Sequence, residues 1–200
     1  MARAYSFLEK VPPDIPALYC SRVRMINDEG MEIGLTPLFK KPPHFRNALV
    51  QNVAIGNTVV FNESTRRLLI RAGPDVGAAV HDWWIYLATT AAWGTVFYDS
   101  RPSVDYRIHA HNQIGANNNR LLRGYMLLNR FKAWSDANVL ALDSFSSSMT
   151  QENEATFQLF RRARERRLLP RLYGLVRAGV YRQTALDNAG LMVAALAAKI

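Results

Sequence analysis

His81 and Asp82 stand side by side in the stretch "VHDWWIYLA", directly ahead of two tryptophans and an apolar run. A carboxylate placed there admits two readings. In the first turn of a helix the unpaired N–H groups and the helix dipole favour an anion, so Asp82 caps the helix. Alternatively, a carboxylate held at a helix start beside apolar walls takes a proton from an incoming hydroxyl, as a general base. His81 either orients it or lies in solvent. Trp83 and Trp84 leave a helix in different directions; a core role is expected for both, with one of them able to wall a ligand.

A second group of candidates lies in "DYRIHAHNQIGANN". His109 and His111 are two apart and share a face if the segment is a strand, a spacing that supports metal binding. Two histidines are an incomplete site, and with Arg107 nearby a phosphate is held equally well. Asn112, Gln113, Gly115, Asn117 and Asn118 form a polar loop suited to a polyhydroxyl ligand, or an ordinary turn-rich connector. The sequence has no G-x-x-x-x-G-K-[ST], no G-x-G-x-x-G, no H-E-x-x-H and no G-x-S-x-G. It carries no D-x-D pair and no RNA-recognition signature, so nucleic acid is not expected as a partner.

The elements that position these residues follow from local pattern. "ALYCSRVRMINDEGMEIGL" reads as a β-hairpin closed by "NDEG", and "KKPPHF" as a loop, because consecutive prolines lack N–H donors. "VAIGNTVVFN" reads as a strand whose Gly56 permits close approach by a ligand or another backbone. "ESTRRLLIRAG" reads as a helix ended by Gly73 and Pro74. A helix from about Val80 to Trp93, the strand "TVFYD", the turn "SRP" and the strand "VDYRI" follow. From Asn118 helical spacing takes over, in a segment closed by Trp134. A cap at Thr150 opens the next helix, then come a basic helix and an apolar-striped final one. The expected architecture is α/β, with an α/β portion at 1–116 and a helical tail at 117–200.

At 200 residues, 49% hydrophobic and 20% charged, the chain suits one globular domain with a real core. One cysteine, Cys20, excludes an internal disulfide and points to a reducing compartment. "MARAYSFLEK" offers no apolar leader, and "LMVAALAA" is too short to span a bilayer. The net charge of +9 is concentrated between Arg161 and Arg182, where eight arginines face the single acid Glu165. That block is a solvated helix face, or it attracts phosphates, an acidic lipid surface or nucleic acid.

"LVQNVAIGNTVVFN", followed by "HDWWIYLATTAAWGTVFYDSRPSVDYRIHAHNQIGANN", resembles glycosyltransferase family 2, and most closely its rhamnosyltransferase-like members. "GVYRQTALDNAGL" is a weaker likeness in the same order. The resemblance implies the C-terminal half of a GT-A (Rossmann-like) fold followed by a helical tail. It implies transfer of a sugar, with inversion, from a nucleotide-sugar to a surface-polysaccharide or lipid-linked acceptor. Asp82 matches the catalytic base. Gln51, Asn52, Gly56 and Thr58 match the acceptor-side strand, with His81 and Trp83 beside them; Asn57 stands where cysteine is common. Arg107 and His109 match the element near the diphosphate or its metal, with Asn112 following, and His111 replaces the usual glycine. Mg²⁺ or Mn²⁺ with the nucleotide-sugar is the implied cofactor, yet the acidic metal motif and the donor strands belong N-terminal to the hairpin. Activity alone is therefore not expected. Two other functions stay open: a non-catalytic half-domain completing a separate donor-binding chain, and a basic adaptor at an anionic membrane surface. A cytoplasmic protein, peripheral at the inner face of the membrane, is expected.

Overall fold

The computed structural model describes residues 1–108 and 120–200, in full detail from residue 128 of the second stretch. The centre is strand β1 (Ala17–Ile26), whose first five residues are all buried. Strand β4 (Thr95–Arg107) runs parallel along the whole of β1, from Ala17 opposite Thr95 to Ile26 opposite Arg107. The other edge of β1 is shared by two short antiparallel strands: β3 (Val60–Phe61) at its start and β2 (Glu32–Leu35) at its end. The β1–β2 hairpin closes as its sequence dictates. Asn27 Oδ1 accepts from the Met31 N–H at 2.8 Å, and Gly30 takes a φ of +83° that a side chain would oppose.

Two strand expectations need correction. "TVFYD" and "VDYRI" are not separate strands; β4 is continuous, and the "SRP" segment is a bulge within it. Two steps along β1, from Ser21 to Val23, correspond to five along β4, from Asp99 to Val104. Asp99 holds the bulge: it is buried and accepts from Arg101 N–H (2.9 Å), Tyr19 O–H (2.8 Å) and Arg3 Nε (2.5 Å). Arg3 belongs to α1 (Ala2–Leu8), whose Phe7 stacks on Phe97 at 5.2 Å between centroids. "VAIGNTVVFN" is also not one strand. Gly56–Thr58 make a turn of 3₁₀ helix, and only Val60–Phe61 are extended. Thr58 explains the difference, since its hydroxyl donates to Ile55 C=O at 2.8 Å and accepts from Ser21 N–H at 3.1 Å.

Helices cover the sheet. A single turn, α2 (Phe45–Ala48), interrupts the proline loop. α3 (Glu63–Ala72) is capped by Asn62, whose Oδ1 accepts from Thr65 N–H and Ala17 N–H, each at 3.0 Å. α4 (His81–Ala91) buries Trp83, Trp84, Tyr86, Leu87, Ala88 and Ala91 at the heart of the molecule. It ends with Gly94 N–H on Thr89 C=O and Trp93 N–H on Thr90 C=O, placing the non-glycine Trp93 at φ +62°.

The tail continues with α5 (Arg120–Ser144), α6 (Gln151–Glu165), α7 (Leu168–Ala178) and α8 (Ala185–Leu196). α5 does not close at Trp134 but runs on to Ser144, because Val139, Ala141 and Leu142 are buried beyond it. Thr150 caps α6 as expected, accepting from Asn153 N–H at 3.2 Å. Asn153 in turn donates to the last carbonyls of α4, Thr90 and Ala91, both at 3.0 Å. Phe157, Phe160, Leu175 and Leu191 share one continuous core with Leu18, Cys20 and Trp83. Each such side chain contributes roughly 1.5–3 kcal/mol on burial, so the tail and the α/β portion stabilise each other. Among the described residues no helix is long and apolar enough to cross a membrane.

Candidate functional site

Asp82 occupies the first turn of α4, half-buried, and three donors hold its carboxylate. Oδ1 accepts from Asn52 Nδ2 at 3.0 Å and from Trp83 N–H at 2.7 Å, while Oδ2 accepts from Gly56 N–H at 2.9 Å. A carboxylate offers about four lone-pair sites, so among the described residues one on Oδ2 has no donor. Asn52 is itself fixed, its Oδ1 accepting from Ala54 N–H at 2.9 Å. A β-carbon on Gly56 would lie 3.0 Å from His81 Nε2 and 3.3 Å from Asp82 Oδ2. The missing side chain is what lets the loop backbone reach the carboxylate. Close approach at Gly56 was legible in the sequence, though not that the approaching groups are His81 and Asp82.

The remaining acceptor-side candidates divide. His81 is exposed and borders a cleft of about 520 Å³, walled by the 74–78 loop, with Asp75 and the edge of Trp84. That size suits a small ligand. Asp75, in "GPDVGAA", was not singled out, since an acid in a glycine-rich loop carries no pattern of its own. Gln51 is buried and faces the tail: its Oε1 accepts from Gln183 N–H at 2.7 Å and Asn47 Nδ2 at 3.2 Å. Thr58 ties its turn to β1. Trp83 is 4% exposed, donates Nε1–H to Ala48 C=O at 2.7 Å and is packed between Phe131 and Trp134. It has no ring face left for a ligand, and Trp84, edge-on to Phe145 at 5.3 Å, is also in the core.

Arg107 stands apart from this cluster. The Gly56–Thr58 turn meets β1 at Ser21, whereas Arg107 pairs with Ile26. The separation is five residues along β1, about 16 Å at roughly 3.3 Å per residue. Its guanidinium donates to the carbonyls of Asn27 and Asp28 in the hairpin turn. His109, His111 and Asn112 lie outside the described residues.

Among the described residues no three His, Cys, Asp or Glu side chains gather in one place. What the arrangement can do is hold one carboxylate oxygen at a fixed position, next in sequence to the His81 that borders the cleft. No protein-family model, curated protein or solved structure matches the chain.

Proposed function

We propose that this chain is the acceptor-side portion of an inverting glycosyltransferase, with Asp82 as the base. One observation carries the reading. The blocks on which the resemblance rests, "QN", "G" and "HD", converge on one carboxylate through Asn52 Nδ2, Gly56 N–H and Asp82 itself. In the proposed reaction an acceptor hydroxyl seats against Oδ2. As its oxygen bonds to the anomeric carbon, the proton passes to Oδ2, and the bond to the nucleoside diphosphate breaks on the opposite face, inverting the configuration. Asn52 and Gly56 keep Oδ2 aimed while this happens. The donor-binding portion is supplied N-terminally or by another chain, together with whatever cation neutralises the diphosphate.

A ligand-observed NMR titration tests this with a panel of nucleotide-sugars, with and without Mn²⁺, and a panel of simple glycosides. Glycoside binding that Asp82→Asn or Asn52→Ala perturbs supports an acceptor site. Metal-dependent binding of a nucleotide-sugar would assign a donor site to this chain as well. Failure of both ligand classes to bind overturns the reading.

A second reading, a non-catalytic half-domain completing a separate donor-binding chain, is favoured by the outer edge of β4. Among the described residues that edge has no strand partner, and Phe97 and Tyr106 on β4 are 42% and 40% exposed. Co-purification of a stoichiometric second chain, with transfer insensitive to Asp82→Asn, selects this reading over the first.

A further inference from the structure

The arginine block of the sequence separates into two groups in the fold. Four of its members are engaged by partners within the fold. Arg161 pairs with Asp143 at 2.9 Å, Arg164 pairs with Asp136, Arg171 Nη1 donates to Ala195 C=O at 2.8 Å, and Arg182 lies over the Phe131 ring. The other four, Arg162, Arg166, Arg167 and Arg177, are exposed and have no ion-pair partner among the described residues. The last three stand at the two ends of α7, which contains no acid; Glu165, at the end of α6, is exposed.

Between these arginines α7 exposes an apolar ridge. Leu169, Tyr173 and Val176 are 76%, 66% and 69% exposed, and their i, i+4, i+7 spacing puts them on one face. α8 adds a second ridge through Leu186, Val193 and Leu196, at 83%, 56% and 50% exposure. Both helices turn their other faces, Leu175 and Ala178 on α7 and Leu191 and Ala194 on α8, into the common core. The Arg171–Ala195 bond ties the start of α7 to the end of α8. The one acid of α8, Asp187, is taken up at its start by the Thr184 hydroxyl at 2.8 Å.

We infer that the α7–α8 face docks on an anionic lipid surface. A bilayer interface meets both halves of the chemistry at once. Leucine and valine enter the acyl boundary, the Tyr173 phenol sits at headgroup level, and the arginines reach lipid phosphates while their stems lie along the apolar layer. The contact is in the plane of the surface. It is independent of the role given to Asp82, so either conclusion survives the other's failure.

The test is sedimentation of the full chain with vesicles of phosphatidylcholine alone and of phosphatidylcholine with phosphatidylserine. Binding is expected only with phosphatidylserine and should fall steeply with salt. Replacing Arg166, Arg167 and Arg177 together by Gln should weaken it about a hundredfold. Leu169→Ser with Val176→Ser should weaken it at least tenfold, with the unfolding temperature unchanged because all these positions are exposed. A polarity-sensitive dye on Val176→Cys should shift to the blue on phosphatidylserine vesicles; Cys20 is buried and does not compete for the label. The inference is overturned by absence of binding at low salt, or by binding that leaves the dye unmoved. A vesicle-free dimer dispersed by the Leu169 and Val176 changes would also overturn it, giving this face to a second copy.

Discussion

Asn52 donates from Nδ2 to Asp82 Oδ1 at 3.0 Å across 30 residues of chain, while its own Oδ1 holds the Ala54 N–H. One side chain therefore shapes the loop and aims the carboxylate. Asn52→Ala removes both bonds and should cost about 1–3 kcal/mol in urea unfolding. Asn52→Asp keeps the Ala54 bond but sets a second carboxylate against Asp82, so it should be the more damaging at pH 7 and recover toward pH 4. Equal stability of the two variants at pH 7 would remove Asn52 as the clamp.

Gly56 tests the same contact from the loop side. An added methyl meets His81 Nε2 at 3.0 Å and Asp82 Oδ2 at 3.3 Å. His81 is exposed and can swing, whereas Asp82 is held by three donors. Gly56→Ala should thus cost roughly 1 kcal/mol and Gly56→Val about 2–3 kcal/mol, in the range of overpacked sites. Adding His81→Ala to Gly56→Ala should return part of the loss, which a double-mutant cycle measures directly.

The end of α4 carries a residue at odds with its backbone. Trp93 sits at φ +62°, where glycine is at ease, and is 60% exposed. Trp93→Gly should raise stability by up to about 1 kcal/mol, read as a higher midpoint in thermal unfolding. Its neighbour behaves oppositely. A β-carbon on Gly94 would lie 2.6 Å from Pro16 O and 2.7 Å from Thr89 O, both backbone atoms that cannot swing away. Gly94→Ala should cost several kcal/mol.

Asp99 sets an acid limit on stability. Burial pulls its carboxyl upward, but the Arg101 N–H, the Tyr19 O–H and Arg3 outweigh it and hold the group below 3.8. With the folded value depressed, its contribution is fully present above the unfolded value and is lost as pH falls through the folded one. Wild-type stability should therefore decline below about pH 4, and Asp99→Asn should flatten that limb while lowering stability at pH 7. Identical acid limbs in the two proteins would assign the decline to other carboxylates.

The Cys20 thiol is buried in the core and pushed up to about 12 by that burial. A thiolate-dependent reagent such as a disulfide dye should leave it untouched in native buffer and react completely in denaturant. Because the group is on the central strand, the native reaction rate should follow global unfolding; Trp93→Gly should slow it and Gly94→Ala should hasten it.

What could be read before folding was mostly local. The "NDEG" turn, the Thr150 cap and the place of Asp82 in a first helical turn each depend on residues within a few positions, where turn chemistry and capping decide the outcome. Both tryptophans of "HDWW" are in the core, as expected. The misreadings came from distant partners. Thr58 folds its segment into a 3₁₀ turn because Ser21 lies alongside, and Asp99 bulges β4 because Arg3 and Tyr19 converge on it; neither partner is visible in a local window. The arginine block misled in another way, since charge counting does not distinguish Arg161, paired with Asp143, from Arg177, exposed to solvent. Of the candidate site, the resemblance grouped Asn52 and Gly56 with Asp82 but did not show that they hold its carboxylate, nor that Gln51 turns inward to the tail.

The bulge in β4 has a bearing on how copies of this chain behave when crowded. A straight edge of thirteen residues with no strand against it would be a template for strand-by-strand growth into fibrils. Here the edge is cut between Asp99 and Val104, and within the cut Pro102 has no N–H to offer. The runs on either side are five and four residues long, shorter than the roughly six or seven residues typical of segments that stack into fibrils. Asp99, by pinning the bulge, keeps an open sheet from becoming an adhesive one.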